Sequence, residues 1–476
     1  MALISARALG LLLEGWRSDP AHAAYVALAD RVRLLILDGR IPLSTRIPAE
    51  RDLAAQLGIS RTTVTAAYAE LRDAGYLRSL RGSGSVAQLP STASRPADAF
   101  ERGYLDFSKA ALPALPVVAD AATRAAQELP AHLGETGFDP IGVFALREAI
   151  ADRYTARGLP TSADDIMVTV GAQHAIALLS RTLLSRGDRA LVETPSYPHA
   201  MEALWDAGAR LVPVSVSTED GWDEAQLEQA IQRTSPSLGY LMPDFHNPTG
   251  ASMSDELKEK TARLATAAGT ILIADETMGE LAIDGPGART PFAAYGGGSS
   301  RHVVIGSVGK SIWGGLRVGW IRAEPSIMQR LIRSRNSGDL GTPILEQLIV
   351  KNLLADYDQI LETRRGQLRL GRDHLAAALA ARMPEWSIPT PAGGLTFWVG
   401  LGDAVSSQFT LAARNHGLLL AAGPRFGIDG AFERFLRLPY SYSLEELDRG
   451  ADALAAAWAD VGRYSLPETG YLAAVV

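Results

Sequence analysis

The sequence predicts two folds in one chain: a small, mainly helical N-terminal domain ending in a β-hairpin, and a large α/β domain with a mainly parallel sheet. Three observations carry this. At 476 residues the chain is too long for one small core. Its charge is divided: the formal net charge is −7, yet residues 21–90 hold nine arginines and no lysine against six acids, a net of +3; residues 1–20 balance, so the remainder carries −10. Beyond Leu105, short β-rich runs alternate with helical segments, as strands joined by crossover helices do. A basic end on an acidic body suggests a nucleic-acid contact and a small-molecule site.

The composition is globular, 47% hydrophobic and 21% charged. No apolar run is long enough to span a bilayer and no signal-peptide pattern opens the chain, so a cytoplasmic location without a membrane partner is expected. The absence of cysteine excludes disulfides, thiol catalysis and cysteine-based zinc sites. The eight histidines show no metal-binding spacing, and no metal is expected. The expected division is a first domain at 1–88, a connector at 89–104 and a second domain at 105–476.

Residues 1–18 show a helical apolar pattern ending at Trp16, with no role attached to it. Val26, Leu28, Val32, Leu35 and Ile36 predict a helix over 25–37, stopped by Asp38–Gly39. Pro48 opens a second helix over 49–57, Gly58–Ile59 turns the chain, and Ser60 caps a third helix from Arg61 to Ala74. Gly75–Tyr76–Leu77 leads into a hairpin with Arg81–Gly82–Ser83–Gly84 at its tip. This is the layout of a winged helix-turn-helix. The third helix would enter the major groove of double-stranded DNA with Ser60, Arg61, Thr62 and Thr63 on its first turn. Arg51 on the second helix, and Arg81 and Gly82 on the wing, would flank it on the phosphates. A helical bundle with solvated arginines is the plainer alternative; the gathering of positive charge and hydroxyls where a duplex would touch argues against it.

The stretch from Leu89 to Pro96 is rich in Ser, Pro and Ala and reads as a flexible connector; at roughly 3 Å per residue it could let one chain's head reach another chain's body. In the large domain, 166–170 is a strand ending at Gly171–Ala172–Gln173, where a helix start offers free amides. The strand 189–193 ends at Tyr197 between two prolines, rigid enough to stack on a flat ring, although a packing tyrosine reads equally well. The strand 239–242 is followed by Pro243–Asp244–Phe245–His246–Asn247–Pro248–Thr249–Gly250, where a cis Asn–Pro bond would turn the asparagine amide inward. The strand 271–273 ends at Asp275–Glu276, an acid that either caps a helix or faces a pocket.

The chain then runs Val303–Val304–Ile305, a buried strand, into Gly306–Ser307–Val308–Gly309–Lys310, with Arg317 seven positions on. Lysine is scarce: after position 110 only Lys258, Lys260, Lys310 and Lys351 occur, and Lys258 and Lys260 lie in a charged helical pattern that reads as a solvated face. A lysine at a buried strand end among small residues suits a Schiff base with pyridoxal 5'-phosphate (PLP), although on this stretch alone a surface-loop lysine reads equally well. Ser307 and Arg317 could bind the phosphate, Ala172 and Gln173 could add amides, and Asp275 could hold the ring nitrogen protonated. Ligands of open parallel sheets bind at the carboxyl ends of strands, so these groups should converge.

The segment IPAERDLAAQLGISRTTVTAAYAELRDAGYLRSLRGSGSV resembles the DNA-binding domain of GntR-type regulators along its whole length. Residues from about 105 to 460, with PxxxNPTG at 243–250, Asp275 and SxxKxxxxxxRxG ending at Gly319, resemble a class I aminotransferase of fold type I. Together they resemble the MocR/GabR family of PLP-dependent transcription regulators. That resemblance implies Lys310 as the PLP-bearing amine, Asp275 at the pyridine nitrogen, Asn247 at the ring hydroxyl and Tyr197 stacked on the ring. It implies Ala172, Gln173, Ser307 and Arg317 at the phosphate, Arg437 gripping an effector's α-carboxylate, and a homodimer, for which a head-to-tail swap is one arrangement. Two positions depart from the aminotransferase pattern: Met278 and Phe138 stand where that pattern has tyrosines. The lost hydroxyls suit a sensor of an amino acid, amine or PLP itself better than an efficient catalyst. An aminotransferase with an accessory head, and a repressor whose body no longer holds a cofactor, are the other two readings.

Overall fold

The protein is described by a computed structural model covering residues 3–13, 16, 23–37, 40–41, 45–80, 84–88, 103–285, 287, 289–297, 302–428 and 430–461. The head contains α1 (Ala6–Leu12), α2 (Ala24–Leu37), α3 (Glu50–Leu57) and α4 (Arg61–Asp73), followed by β1 (Leu77–Leu80) and β2 (Gly84–Ala87) paired antiparallel. Gly58 closes α3 in the left-handed region at φ 64°, a conformation glycine adopts without strain. Ser60 caps α4, its Oγ accepting from the Thr63 amide at 3.1 Å. The inner faces of these helices supply Leu35, Leu53, Val64, Tyr68 and Leu71 to one buried cluster. Residues 1–18, which carried no role in the sequence, supply α1, whose Leu9 and Leu13 are fully buried in that cluster. The wing tip with Arg81 and Gly82, and the connector at 89–102, lie outside the described residues.

The large domain begins with β3 (Leu105–Asp106), α5 (Val117–Glu128) and α6 (Phe144–Ala156). Strands and helices then alternate: β4 (Ile166–Thr169), α7 (Gly171–Leu183), β5 (Arg189–Thr194), α8 (Pro198–Asp206), β6 (Arg210–Ser215), α9 (Glu224–Thr234), β7 (Leu238–Leu241), α10 (Asp255–Ala268) and β8 (Ile271–Asp275). They continue as β9 (His302–Ser307), β10 (Gly319–Arg322), α11 (Pro325–Arg335), α12 (Ile344–Leu354) and the 26-residue α13 (Tyr357–Arg382). The C-terminal lobe holds β11 (Thr396–Gly400), α14 (Ser406–Asn415), β12 (Leu418–Leu419), β13 (Ala421–Ala422), β14 (Phe435–Pro439) and α15 (Leu444–Asp460).

Seven strands form one sheet in the order β4-β10-β9-β8-β7-β5-β6. All neighbours run parallel except β10, which is antiparallel to both β4 and β9. β4, β7 and β9 are buried along their whole length, as expected for strands covered by helices on both faces. The exception at β10 has a consequence for the site: its amino end lies beside the carboxyl ends of the other strands, so Arg317, just before it, reaches the same rim.

One reading of the sequence is corrected. Lys260 is partly exposed beside Glu224 and Glu228, as a solvated face requires. Lys258 is not: it is 1% exposed, with its Nζ 2.8 and 3.0 Å from the carboxylate oxygens of Asp244. The charge pattern of α10 gives no sign that a carboxylate from a distant turn faces its inner side.

Candidate functional site

The groups named at the strand ends meet at one rim. β9 ends at Ser307, and the chain makes a single π-helical turn over Gly309–Trp313 that carries Lys310; such turns often mark functional sites. Lys310 Nζ donates to the Ala110 carbonyl at 2.7 Å. Ser307 Oγ accepts from the Gly309 amide at 3.0 Å and donates to Val318 O at 3.1 Å, bracing the turn. Arg317, in the left-handed region at φ 53°, donates through Nη2 to Val170 O at 3.1 Å and lies against Gly171. A Cβ on Gly171 would lie 2.8 Å from that guanidinium, and one on Gly319 would lie 2.7 Å from the Gly171 backbone. Glycine at both positions lets the start of α7, with Ala172 and Gln173, approach Arg317 closely.

Asp275, the last residue of β8, is 7% exposed; its Oδ2 accepts from the Tyr240 hydroxyl at 2.8 Å and its Oδ1 from the Thr277 amide at 2.9 Å. It faces the site rather than capping a helix. Asn247 follows β7 in the turn 243–250, with a cis peptide bond to Pro248. Glu193, at the end of β5, anchors that turn's entry by accepting from the Met242 amide at 2.9 Å. Tyr197 immediately precedes α8 without capping it through its side chain, its ring edge-on to that of His199 at 5.4 Å. Arg437 lies in the middle of β14, fully buried, with Nη2 on the Ser108 carbonyl and its guanidinium carbon 4.9 Å from the Phe426 ring centre. Met278 is packed in the apolar core and Phe138 is 70% exposed, so neither position offers a hydroxyl.

The electrostatics link these groups. Burial lowers the Lys310 amine to about 7, with the Arg437 and Arg317 cations adding to the shift and Asp275 opposing it. Burial, with the Asp275 carboxylate as the next contributor, raises the Tyr197 phenol to about 12. Burial also pushes the Asp275 carboxyl above its usual range, against the hydrogen bonds from Thr277 and Tyr240. Arg437 is lowered to about 10 by burial.

The residues present fit PLP. Asn247 Oδ1, Gln173 Oε1, and Nε and Nη1 of Arg437 are buried without a hydrogen-bond partner, so the site holds polar atoms the protein alone does not satisfy. Lys310 would carry the cofactor, Asp275 would face its ring nitrogen, and the Gly171–Gln173 amides with Ser307 and Arg317 would hold its phosphate. When bound, PLP supplies an aldehyde for an amine and a ring that withdraws electrons. The protein's part is to bring the Lys310 amine down to where its neutral form is well populated near pH 7, to fix an acid at the ring nitrogen and to keep Arg437 charged for a carboxylate.

Sequence reasoning missed several groups. Ser108 and Ala110, which accept from Arg437 and Lys310, lie 329 and 200 residues away from them, and no local pattern marks them. Tyr240 lies in a strand read only as apolar. Ser311 next to Lys310 pairs with the Tyr357 hydroxyl at 2.7 Å, and Arg364 donates to Ser311 O at 2.9 Å, so α13 supports the turn.

In the head, Arg51 has 85% of its side chain exposed and Arg61 and Thr62 are exposed at the start of α4. Ser60 Oγ lies 2.7 and 2.8 Å from the hydroxyls of Thr62 and Thr63, so the serine's first task is the cap.

Comparison with known proteins agrees with both halves. Residues 104–454 match the family of class I and II aminotransferases, and residues 24–86 match the gntR family of bacterial regulatory proteins. The chain therefore belongs to the class I and II aminotransferase family and carries a GntR-type head. That pairing is the MocR/GabR type of PLP-dependent transcription regulator. The chain is 26% identical over 471 residues to YdfD of Bacillus subtilis, an uncharacterized HTH-type transcriptional regulator, covering 90% of this chain and 94% of the relative. It is 28% identical over 450 residues to the HTH-type transcriptional regulator TauR of Rhodobacter capsulatus, covering 85% and 90%. Among solved structures, LysN, an alpha-aminoadipate aminotransferase from Thermus thermophilus complexed with N-(5'-phosphopyridoxyl)-L-leucine, superposes with a TM-score of 0.70 at 27% identity. The match covers 78% of this chain and 95% of LysN. No helix among the described residues is long and apolar enough to cross a membrane.

Proposed function

We propose that the protein is a cytoplasmic DNA-binding regulator whose large domain (105–476) takes up PLP at Lys310 and senses an amino acid, an amine or PLP itself, altering how the head (1–88) meets DNA. The observation that carries this reading is the juxtaposition of a near-neutral Lys310 and a buried, under-satisfied Arg437 in a chain whose head exposes Arg51 and Arg61. Arg437 suits a carboxylate because a guanidinium can grip it with two parallel hydrogen bonds. Titrating the PLP-loaded protein with a panel of amino acids and amines, followed by operator binding with each hit, tests it. In that titration Arg437→Ala should abolish the spectral response to carboxylate-bearing compounds; an unchanged response discards the carboxylate assignment.

The operator would meet Ser60, Arg61, Thr62 and Thr63 at the head of α4, with Arg51, Arg81 and Gly82 on the flanks. Arg61→Ala should weaken operator binding by about 1–3 kcal/mol if it reads a base, while leaving the absorption of bound cofactor unchanged. A homodimer is part of the proposal, supported by the exposed Leu133, Phe138 and Phe144, at 71%, 70% and 58%, in one short segment of the large domain. A second reading, an aminotransferase with an accessory head, is favoured by the presence of both Asp275 and Lys310 at one site. It predicts steady turnover of an amino acid with a keto acid, which Met278 and Phe138 argue against.

A further inference from the structure

The head rests on the C-terminal lobe, and the contact residue Glu433 lies four positions before Arg437 on the same segment. Leu411 of α14 is 4% exposed and belongs to the head's own apolar cluster. Beside it, Arg40 of the head forms an ion pair with Glu433, both side chains largely buried at 8% and 14% exposure. Glu433 is held in turn from the lobe: its Oε2 accepts from the Ser407 amide at 2.9 Å and its carbonyl accepts from the Ser406 amide at 2.9 Å. The first turn of α14 thus presents a fixed carboxylate to the head's arginine.

The same segment is built into the carboxylate site. Glu433 precedes β14 by two positions, and β14 carries Arg437, paired in register with Ala421 of β13. Ser406 Oγ accepts from the Gly423 amide at 2.9 Å, tying β13's exit to the start of α14. Between these fixed points Phe432 sits in the left-handed region at φ 74°, which a bulky aromatic residue rarely adopts. Its carbonyl faces Gly423, where a Cβ would lie only 2.0 Å away, so the approach requires glycine. Backbone held in so unfavourable a conformation next to a binding residue is a place where two arrangements can lie close in free energy.

We propose that the Arg40–Glu433 ion pair is a latch between head and body, and that a carboxylate docking on Arg437 shifts the 432–437 segment and so changes how the head is held. The proposal rests on the sensing function given above. A carboxylate entering beside Arg437 satisfies Nε and Nη1, which are now without partners, and the strand that carries them leads directly to Glu433. Neither Arg40 nor Glu433 belongs to the cofactor site, so the latch can be altered without altering uptake of a ligand.

The test uses the full-length protein, the N-(5'-phosphopyridoxyl) adducts of glycine and L-leucine, which carry an α-carboxylate on the cofactor skeleton, and a duplex selected from a random pool. In wild-type protein an adduct should change duplex affinity by about 5- to 150-fold, the usual range of coupling between sites. Glu433→Gln should bind the adduct as tightly as wild type yet lose that change, with faster hydrogen exchange in α2 and α4. The double exchange Arg40→Glu with Glu433→Arg should restore part of the coupling, which separates a lost latch from a misfolded lobe. A Glu433→Gln protein that keeps the full wild-type change overturns the latch and leaves the sensing function standing. Wild-type protein that takes up neither adduct, or takes one up with no change in duplex affinity, overturns the sensing of carboxylates and the latch with it.

Discussion

Lys310→Ala should remove all covalent uptake of PLP: borohydride reduction followed by peptide mapping should label the peptide containing residue 310 in wild-type protein and no peptide in the variant. The expectation is all-or-none because uptake at this rim needs a near-neutral amine, and the other lysines do not supply one there. Lys258 is tied to Asp244, Lys351 to Glu128 and Lys109 to Asp106. The pH dependence follows from the same environment. Burial, helped by the Arg437 cation, lowers the Lys310 amine to about 7, so the reactive neutral form predominates above that pH and the protonated form below it. Uptake by cofactor-free protein should therefore rise with pH through a midpoint near 7 and then level off, where an ordinary lysine would keep gaining up to about 10.4. Arg437→Ala removes a cation that disfavours protonation, so in that variant the midpoint should move upward. A midpoint that stays in place would show that Arg437 does not act on the lysine.

Asp244→Ala should be the most destabilising single change near the site, by about 3–5 kcal/mol, because it leaves the Lys258 ammonium buried without its counter-charge. Lys258→Met should cost less. The remaining carboxylate would keep Arg289, whose Nη1 lies 3.2 Å from Asp244 Oδ1. Denaturant unfolding that follows the large domain separately from the head checks the order of the two variants. The reverse order would mean that Arg289 cannot neutralise Asp244 once Lys258 is gone. Since Asp244 opens the turn that presents Asn247, its loss should also loosen the cofactor's hold, which the midpoint of PLP release on dialysis would report.

Much of the site was legible because each of its groups sits next to a local signal. Lys310 follows a wholly apolar strand and is set among glycines, Asp275 ends another strand, and Asn247 lies in an Asn–Pro turn. Strand direction then dictates that these ends share one rim. Lys258 was misread for the opposite reason: its surroundings in sequence are charged, and its partner comes from a turn 14 residues back that only folding brings beneath the helix. Tyr240 was overlooked because an apolar strand does not reveal which hydroxyl will turn toward a buried carboxylate.

By itself the sequence pointed to a GntR-type head on an aminotransferase-like body, to the strands that end near Gly171, Tyr197, Asn247, Asp275 and Lys310, and to the amine and the helix proposed to meet cofactor and DNA. These depend on short-range patterns: apolar periodicity, caps and turn residues whose conformational preferences act within a few positions. Only the tertiary structure decided that the Ser108 and Ala110 carbonyls accept hydrogen bonds from Arg437 and Lys310, that antiparallel β10 brings Arg317 to the shared rim, and that Glu433 meets Arg40 beside Leu411. Such contacts join residues tens to hundreds of positions apart, and their partners are selected by the packing of whole layers, which no local run of residues encodes.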